Sequence, residues 1–163
     1  MSDLQKPNPN AVMSKIERAE IRARIHHLEK FLKENPDQLQ IEPVHHFSKD
    51  VYAREMRLKK DALIVGAIHR FENLNIISQG EVSIVSIDGI IRVKAPATFV
   101  ASPGAKRVIY AHEDTVWTTI HGTGERDLAK IEDIFIAKNY DGIDGISDEE
   151  IDLIEGAKKC LGL

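Results

Sequence analysis

The sequence predicts a mainly β, antiparallel barrel or sandwich with one amphipathic helix before it and two helices after it. Two observations carry this. Between Pro43 and His121, β-branched residues cluster in short runs separated by turn residues, while on either side apolar residues recur at helical spacing. No helical pattern interrupts the short runs, and their connections are too short for the crossovers that parallel strands require.

The elements follow in order. The stretch 1–13 (MSDLQKPNPNAVM) has two prolines, two asparagines and no apolar period, so it reads as a flexible arm without structure of its own. From 14 to 35 the chain reads as a helix. Ser14 and Glu17 have capping-box spacing, Ile21, Ile25, Leu28 and Leu32 form one apolar stripe, and Asn35-Pro36 stops the pattern. That stripe needs a surface, either the strands of its own domain or the same helix of a neighbouring subunit.

The β domain is expected over 43–122. Its runs are VYAREM (51–56), ALIVGAIH (62–69), NIISQG (75–80), EVSIVS (81–86), IIRVKA (90–95), ATFVAS (97–102), KRVIYAH (106–112) and TVWTTIH (115–121). Asp88-Gly89, Ala95-Pro96, Ser102-Pro103-Gly104 and Glu113-Asp114 punctuate them. The remainder, 123–163, returns to helical spacing and is expected to pack on the strands or on a neighbour. Leu128, Ile131, Ile134 and Phe135 make one stripe, with Glu125 and Asp127 at its acidic start. A turn region over 139–145 leads to a second capping box, Ser147 and Glu150, which opens a helix with Ile151, Ile154 and Ala157 on one side.

Composition narrows the function. The 163 residues carry 22 basic and 26 acidic side chains, a net charge of −4, which argues against general nucleic-acid binding and against a membrane surface as partner. No apolar run approaches the roughly 18 residues that span a bilayer, and the first residues lack an apolar signal core, so a cytosolic protein is expected. The single cysteine, Cys160, excludes an internal disulfide framework and any CxxC pair.

Within the β region, the run from Gly66 through His69, Glu72 and Asn75 to Gly80 resembles the first motif of cupins, and 95–107 resembles the second. The phrases VYAREM, SPGAKRVIYA and EDTVWTTIH are similar to small cupin-like proteins of tailed bacteriophages. This resemblance implies an antiparallel jelly-roll barrel, a viral origin, and residence in the host cytoplasm during infection or in the virion. Metal-binding cupins place two histidines and a carboxylate on the first motif and a third histidine on the second. Here His69 fills the first position, Phe71 stands at the second, the carboxylate position falls among Asn73 to Asn75, and Arg107 replaces the last histidine. An arginine cannot ligate a cation, so no metal or other cofactor is expected, and His69, Glu72 and Arg107 become candidates for holding an anionic or hydroxylated ligand.

Strand parity adds two expectations. If Glu113-Asp114 is a two-residue hairpin turn, Tyr110 faces Trp117 across the strands and Lys106 faces His121. Arg107, Ile109 and Ala111 would then share the inner face with Val116, Thr118 and Ile120, and Arg107 would not converge with His121. The Tyr110–Trp117 pair, like the stripe of Ile21, Ile25, Leu28 and Leu32, is read as packing or a subunit interface. The doublets His26-His27 and His45-His46 cannot chelate alone, because adjacent side chains diverge. The segment NYDGIDGISDEE lacks the glycine register of a calcium loop. Three functions remain: a non-enzymatic oligomeric protein, structural or virion-associated, with other phage structural proteins as partners; a module binding a nucleotide or sugar phosphate; and a metal-dependent cupin enzyme.

Overall fold

The computed structural model describes residues 13–163, so the arm read over 1–13 lies outside the described residues except for Met13. The chain runs α1 (Lys15–Glu34), β1 (Val44–Ser48), β2 (Val51–Leu58), β3 (Leu63–Val65), β4 (Ile68–His69), β5 (Asn73–Gln79) and β6 (Glu81–Ser86). It continues through β7 (Gly89–Lys94), β8 (Ala97–Ala101), β9 (Val108–Ala111), β10 (Thr115–Gly122), α2 (Leu128–Phe135), β11 (Ile136–Ala137) and α3 (Asp148–Cys160). All strand pairs are antiparallel. A five-stranded sheet has the order β1-β2-β10-β5-β8, a four-stranded sheet β3-β9-β6-β7, and β11 pairs with β4. Successive strands repeatedly change sheet, as in a jelly roll, but the ladders do not close into the single barrel expected. The domain is a sandwich.

Its core is made by alternation. Leu58, Ile77 and Trp117 of the five-stranded sheet meet Val82, Ile84, Ile109 and Ala111 of the four-stranded one. Burying each of the larger side chains stabilises the fold by roughly 1.5–3 kcal/mol. The run 62–69 divides into β3 and β4 because at Gly66 the backbone amide turns to the carbonyl of Arg107. Gly80, at φ +88°, is obligatory: a Cβ there would lie 2.4 Å from Thr115 Oγ1 and 2.5 Å from the Asp114 carbonyl.

The Glu113-Asp114 hairpin does not form. β9 pairs with β3 and β6, whereas β10 pairs with β2 and β5. The turn is a corner between sheets, held by the Asp114 carboxylate, which accepts from Lys59 Nζ and the Lys60 amide at 2.9 Å each. Passing from one sheet to the other resets the parity. Trp117, Thr119 and His121 are buried, and Val116, Thr118 and Ile120 take the outer face. Tyr110 does not meet Trp117; it donates to Asp61 at 2.7 Å, while Trp117 packs edge-on against Phe99. Lys106 does not face His121; its Nζ reaches the Gly66 carbonyl and Glu29 of α1, each at 3.0 Å.

The helices show two further departures. α1 has both halves of its capping box, and it packs on α3. Its most buried residues are Ala19, Arg22, Ala23 and Ile25, so Ile21, Leu28 and Leu32 are only half-buried. Small residues allow the close approach, and Arg22 turns inward because Glu150 of α3 receives it. That contact also halves the second capping box. Ser147 Oγ accepts from the Glu150 amide, but the Glu150 carboxylate goes to Arg18 and Arg22.

Candidate functional site

A cavity of about 420 Å³ opens at one end of the sandwich. Strand alternation on β2 aims Tyr52, Arg54 and Met56 at it, and the same alternation on β10 supplies Thr119 and His121. His69 arrives from β4, which is tied on one side to β11 and on the other to Gly104, whose amide donates to the His69 carbonyl at 2.7 Å. α2 forms the remaining wall with Ile131, Glu132 and Phe135. Asp127 caps this helix, accepting from the amides of Ala129 and Lys130. Ile131 and Phe135 are held against Tyr52, while Leu128 and Ile134 of the expected stripe are exposed.

The aromatic groups are stacked. The His121 ring lies 4.3 Å from Phe135, 5.4 Å from His69 and 6.2 Å from Tyr52, centroid to centroid. Tyr52 Oη is 2.8 Å from His45 Nδ1. Nδ1 of both His69 and His121 is buried without a hydrogen-bond partner. Burial is the main cause that lowers each imidazole to about 4; for His69 the neighbouring His121, Arg107 and Arg54 push the same way, and for His121 Arg54 does. Both rings are therefore neutral at pH 7. Arg54 takes part in no ion pair or side-chain hydrogen bond among the described residues, and it bears electrostatically on Tyr52, His45, His69 and His121 alike.

This pH response is testable. A histidine whose folded pKa is depressed leaves the unfolded chain binding more protons, so stability is present above the unfolded pKa and lost as pH falls towards the folded one. The denaturant midpoint should stay flat above pH 7 and fall between about 6.5 and 4, and the His69 and His121 ring resonances should titrate near 4. Titration near 6.5 by either ring would show that it is not buried as described.

Deeper in, an amide ladder joins β5 to β10. Trp117 Nε1 and Thr119 Oγ1 donate to Asn75 Oδ1 at 2.9 and 3.0 Å, and Asn75 Nδ2 donates to Asn73 Oδ1 at 2.8 Å. Among the described residues no group of three or more His, Cys, Asp or Glu side chains could hold a metal ion. Two imidazoles beside a guanidinium do not fit a divalent cation, which needs more donors and no fixed positive charge.

The other sequence candidates lie elsewhere. Arg107 does not line the cavity. Its guanidinium is half-buried, 5.5 Å over the Phe99 ring, with no ion pair among the described residues, and desolvation lowers its pKa. His121 turns inward, against the parity expectation, because the corner at 113–114 turns β10 over; it lines the cavity and Arg107 does not, so the two do not converge there. Glu72, the third ligand candidate, is exposed and does not line the cavity either, and Glu55 on β2 holds Arg57 and His46. His45 turns inward to Tyr52 and His46 outward to Glu55, so that doublet diverges. His26 sits edge-on to Tyr140 while His27 is exposed. Sequence reasoning missed Tyr52, Arg54 and the α2 wall, and its strand parity set His121 opposite Lys106, away from the cavity. The alternation in VYAREM contained the signal for the first two.

No protein-family model matches the chain, and no curated protein matches it. Among the described residues no helix is long and apolar enough to cross a membrane. Similar solved structures include KdgF from Halomonas sp., at 17% identity and a TM-score of 0.46 over 57% of this chain and 88% of that one. An RmlC-like cupin from Shewanella frigidimarina is 17% identical, with a TM-score of 0.44 over 58% of this chain and 91% of that chain. A conserved protein with a double-stranded β-helix domain from Klebsiella pneumoniae is 13% identical, with a TM-score of 0.47 over 57% and 85%. Identities and TM-scores at this level carry neither a family nor an activity across to this chain.

Proposed function

We propose that this chain is a non-enzymatic, cupin-like binding module that takes a small anionic, hydroxylated ligand, such as a nucleotide or sugar phosphate, into the cavity beneath α2. The observation that carries the reading is Arg54. An unpaired guanidinium on the wall of a 420 Å³ cavity, beside Tyr52, Thr119 and two neutral imidazoles, offers bidentate donors to a phosphate or carboxylate. The volume suits a small molecule. Neutral histidines and hydroxyls supply hydrogen bonds to sugar oxygens without adding charge.

The test is thermal unfolding with inorganic phosphate, ADP, glucose 6-phosphate and citrate. A ligand at a hundredfold excess over its Kd stabilises by about 2.7 kcal/mol, and Arg54→Ala should remove most of that shift while leaving the unliganded melting temperature within a degree or two. No shift with any of the four, or a shift that Arg54→Ala preserves, overturns the reading. A second reading, an oligomeric and virion-associated protein of a phage, draws support from the sequence phrases above and from the exposed Val100 and Leu74 on the outer face of the large sheet.

A further inference from the structure

Two imidazoles of the cavity wall are presented alike. His69 and His121 both line the cavity, with ring centroids 5.4 Å apart and planes within 16° of each other. In each ring Nδ1 is buried, and no carbonyl or carboxylate among the described residues accepts from it. Nε2 is neither buried in this way nor bonded to a described residue, so it is the nitrogen that each ring turns to the cavity. The geometry fixes the tautomer. A neutral imidazole carries one proton. On Nδ1 that proton would make a buried N–H without an acceptor, which folded proteins rarely contain. On Nε2 it leaves only a lone pair unmatched inside, and the N–H faces whatever fills the cavity.

We infer that His69 and His121 are specificity-determining residues, each turning an Nε2–H donor into the cavity, so that its inner end selects a hydroxyl and rejects an ammonium group. Thr119 completes the selection. Its hydroxyl proton goes to Asn75 Oδ1 at 3.0 Å, which leaves Oγ1 an acceptor on the cavity wall. A ligand hydroxyl can accept from the imidazoles and donate to Thr119, whereas an ammonium group meets two N–H donors that it cannot satisfy. Arg54 is exposed while Thr119 and His121 are buried, so a sugar phosphate enters with its phosphate on Arg54 and its hydroxyls inward. This selectivity rests on the ligand reading above and names the end of the ligand that Arg54 does not hold.

The experiment has three arms. Long-range proton–nitrogen correlation spectra of the free protein at neutral pH should show both rings protonated at Nε2. Calorimetric titration then compares glucose 6-phosphate with glucosamine 6-phosphate, whose ammonium group on C2 lies across the ring from the phosphate-bearing arm. In Glu132→Gln, which removes the exposed carboxylate of the wall, the amino sugar should bind at least about tenfold more weakly. His69→Phe and His121→Phe should each raise the Kd for glucose 6-phosphate about tenfold, the loss of one hydrogen bond. Their unliganded melting temperatures should hold or rise, since the unmatched Nδ1 goes with the imidazole. A proton on Nδ1 of either ring, equal affinity of Glu132→Gln for the two sugars, or phenylalanine variants that bind like wild type overturn the inference. Failure of glucose 6-phosphate to bind the wild-type chain overturns it too, whereas the ligand reading falls only when phosphate, ADP and citrate fail as well.

Discussion

Glu150→Ala should lower the unfolding free energy by about 3–5 kcal/mol, the cost typical of removing one partner from a buried ion pair. Glu150 is 2% exposed and receives Arg22, itself 3% exposed, together with Arg18 at 3.2 Å. Without it, the Arg22 guanidinium stays between α1 and α3 with no counter-charge, and its Nε already lacks a partner. Helix propensity opposes this only weakly, because alanine is a better helix former by a few tenths of a kcal/mol. The loss should therefore be one of docking: far-UV dichroism nearly unchanged, the denaturation midpoint much lower, and α1 amides exchanging faster. Replacing both partners, Arg22→Leu with Glu150→Leu, should recover most of the loss, since apolar residues of similar volume can fill a buried pair's place. A loss under about 1 kcal/mol for Glu150→Ala would show that the pair is hydrated and that α1 is held by its apolar residues alone.

Trp117→Ala should cost about 3–5 kcal/mol, through a cavity in the centre of the sandwich. Trp117 is the only tryptophan and is 2% exposed. Two effects separate here. Trp117→Phe keeps much of the ring and the edge-on contact with Phe99, but removes the Nε1 donor to Asn75. Thr119 still donates to the same oxygen, so the phenylalanine variant should lose less than half as much as the alanine variant. Equal losses in chemical denaturation followed by dichroism would mean that the amide ladder, and not the volume, holds this part of the core.

Much of the fold was legible in the sequence. Ser14, Glu17 and Asn35-Pro36 bound α1, the β-branched runs mark the strands of the sandwich, and the spacing of Ile131 and Phe135 marks the buried side of α2. These are local signals, in which caps, turns and alternation act within a few residues of one another. Val44–Ser48 was not seen as a strand, because its hydrogen bonds go to β2 and its outward side chains are mixed. The two-residue β11 exists only because it pairs with β4.

The site divides in the same way. His69, read from its place in the strand pattern, lines the cavity, whereas Glu72 and Arg107, read with it, do not. Arg54 and His121 were not legible, because membership of one cavity depends on which sheet each strand joins. A single unit of parity at the 113–114 corner turns the whole of β10 over. The sequence by itself determined the material: short antiparallel strands between capped helices, and a balanced, slightly negative charge. Only the tertiary structure decided which faces meet, because sheet membership is set by hydrogen bonds between residues far apart in the chain. The side chains within a strand specify that it has two faces, and the strands packed around it specify which face becomes the interior.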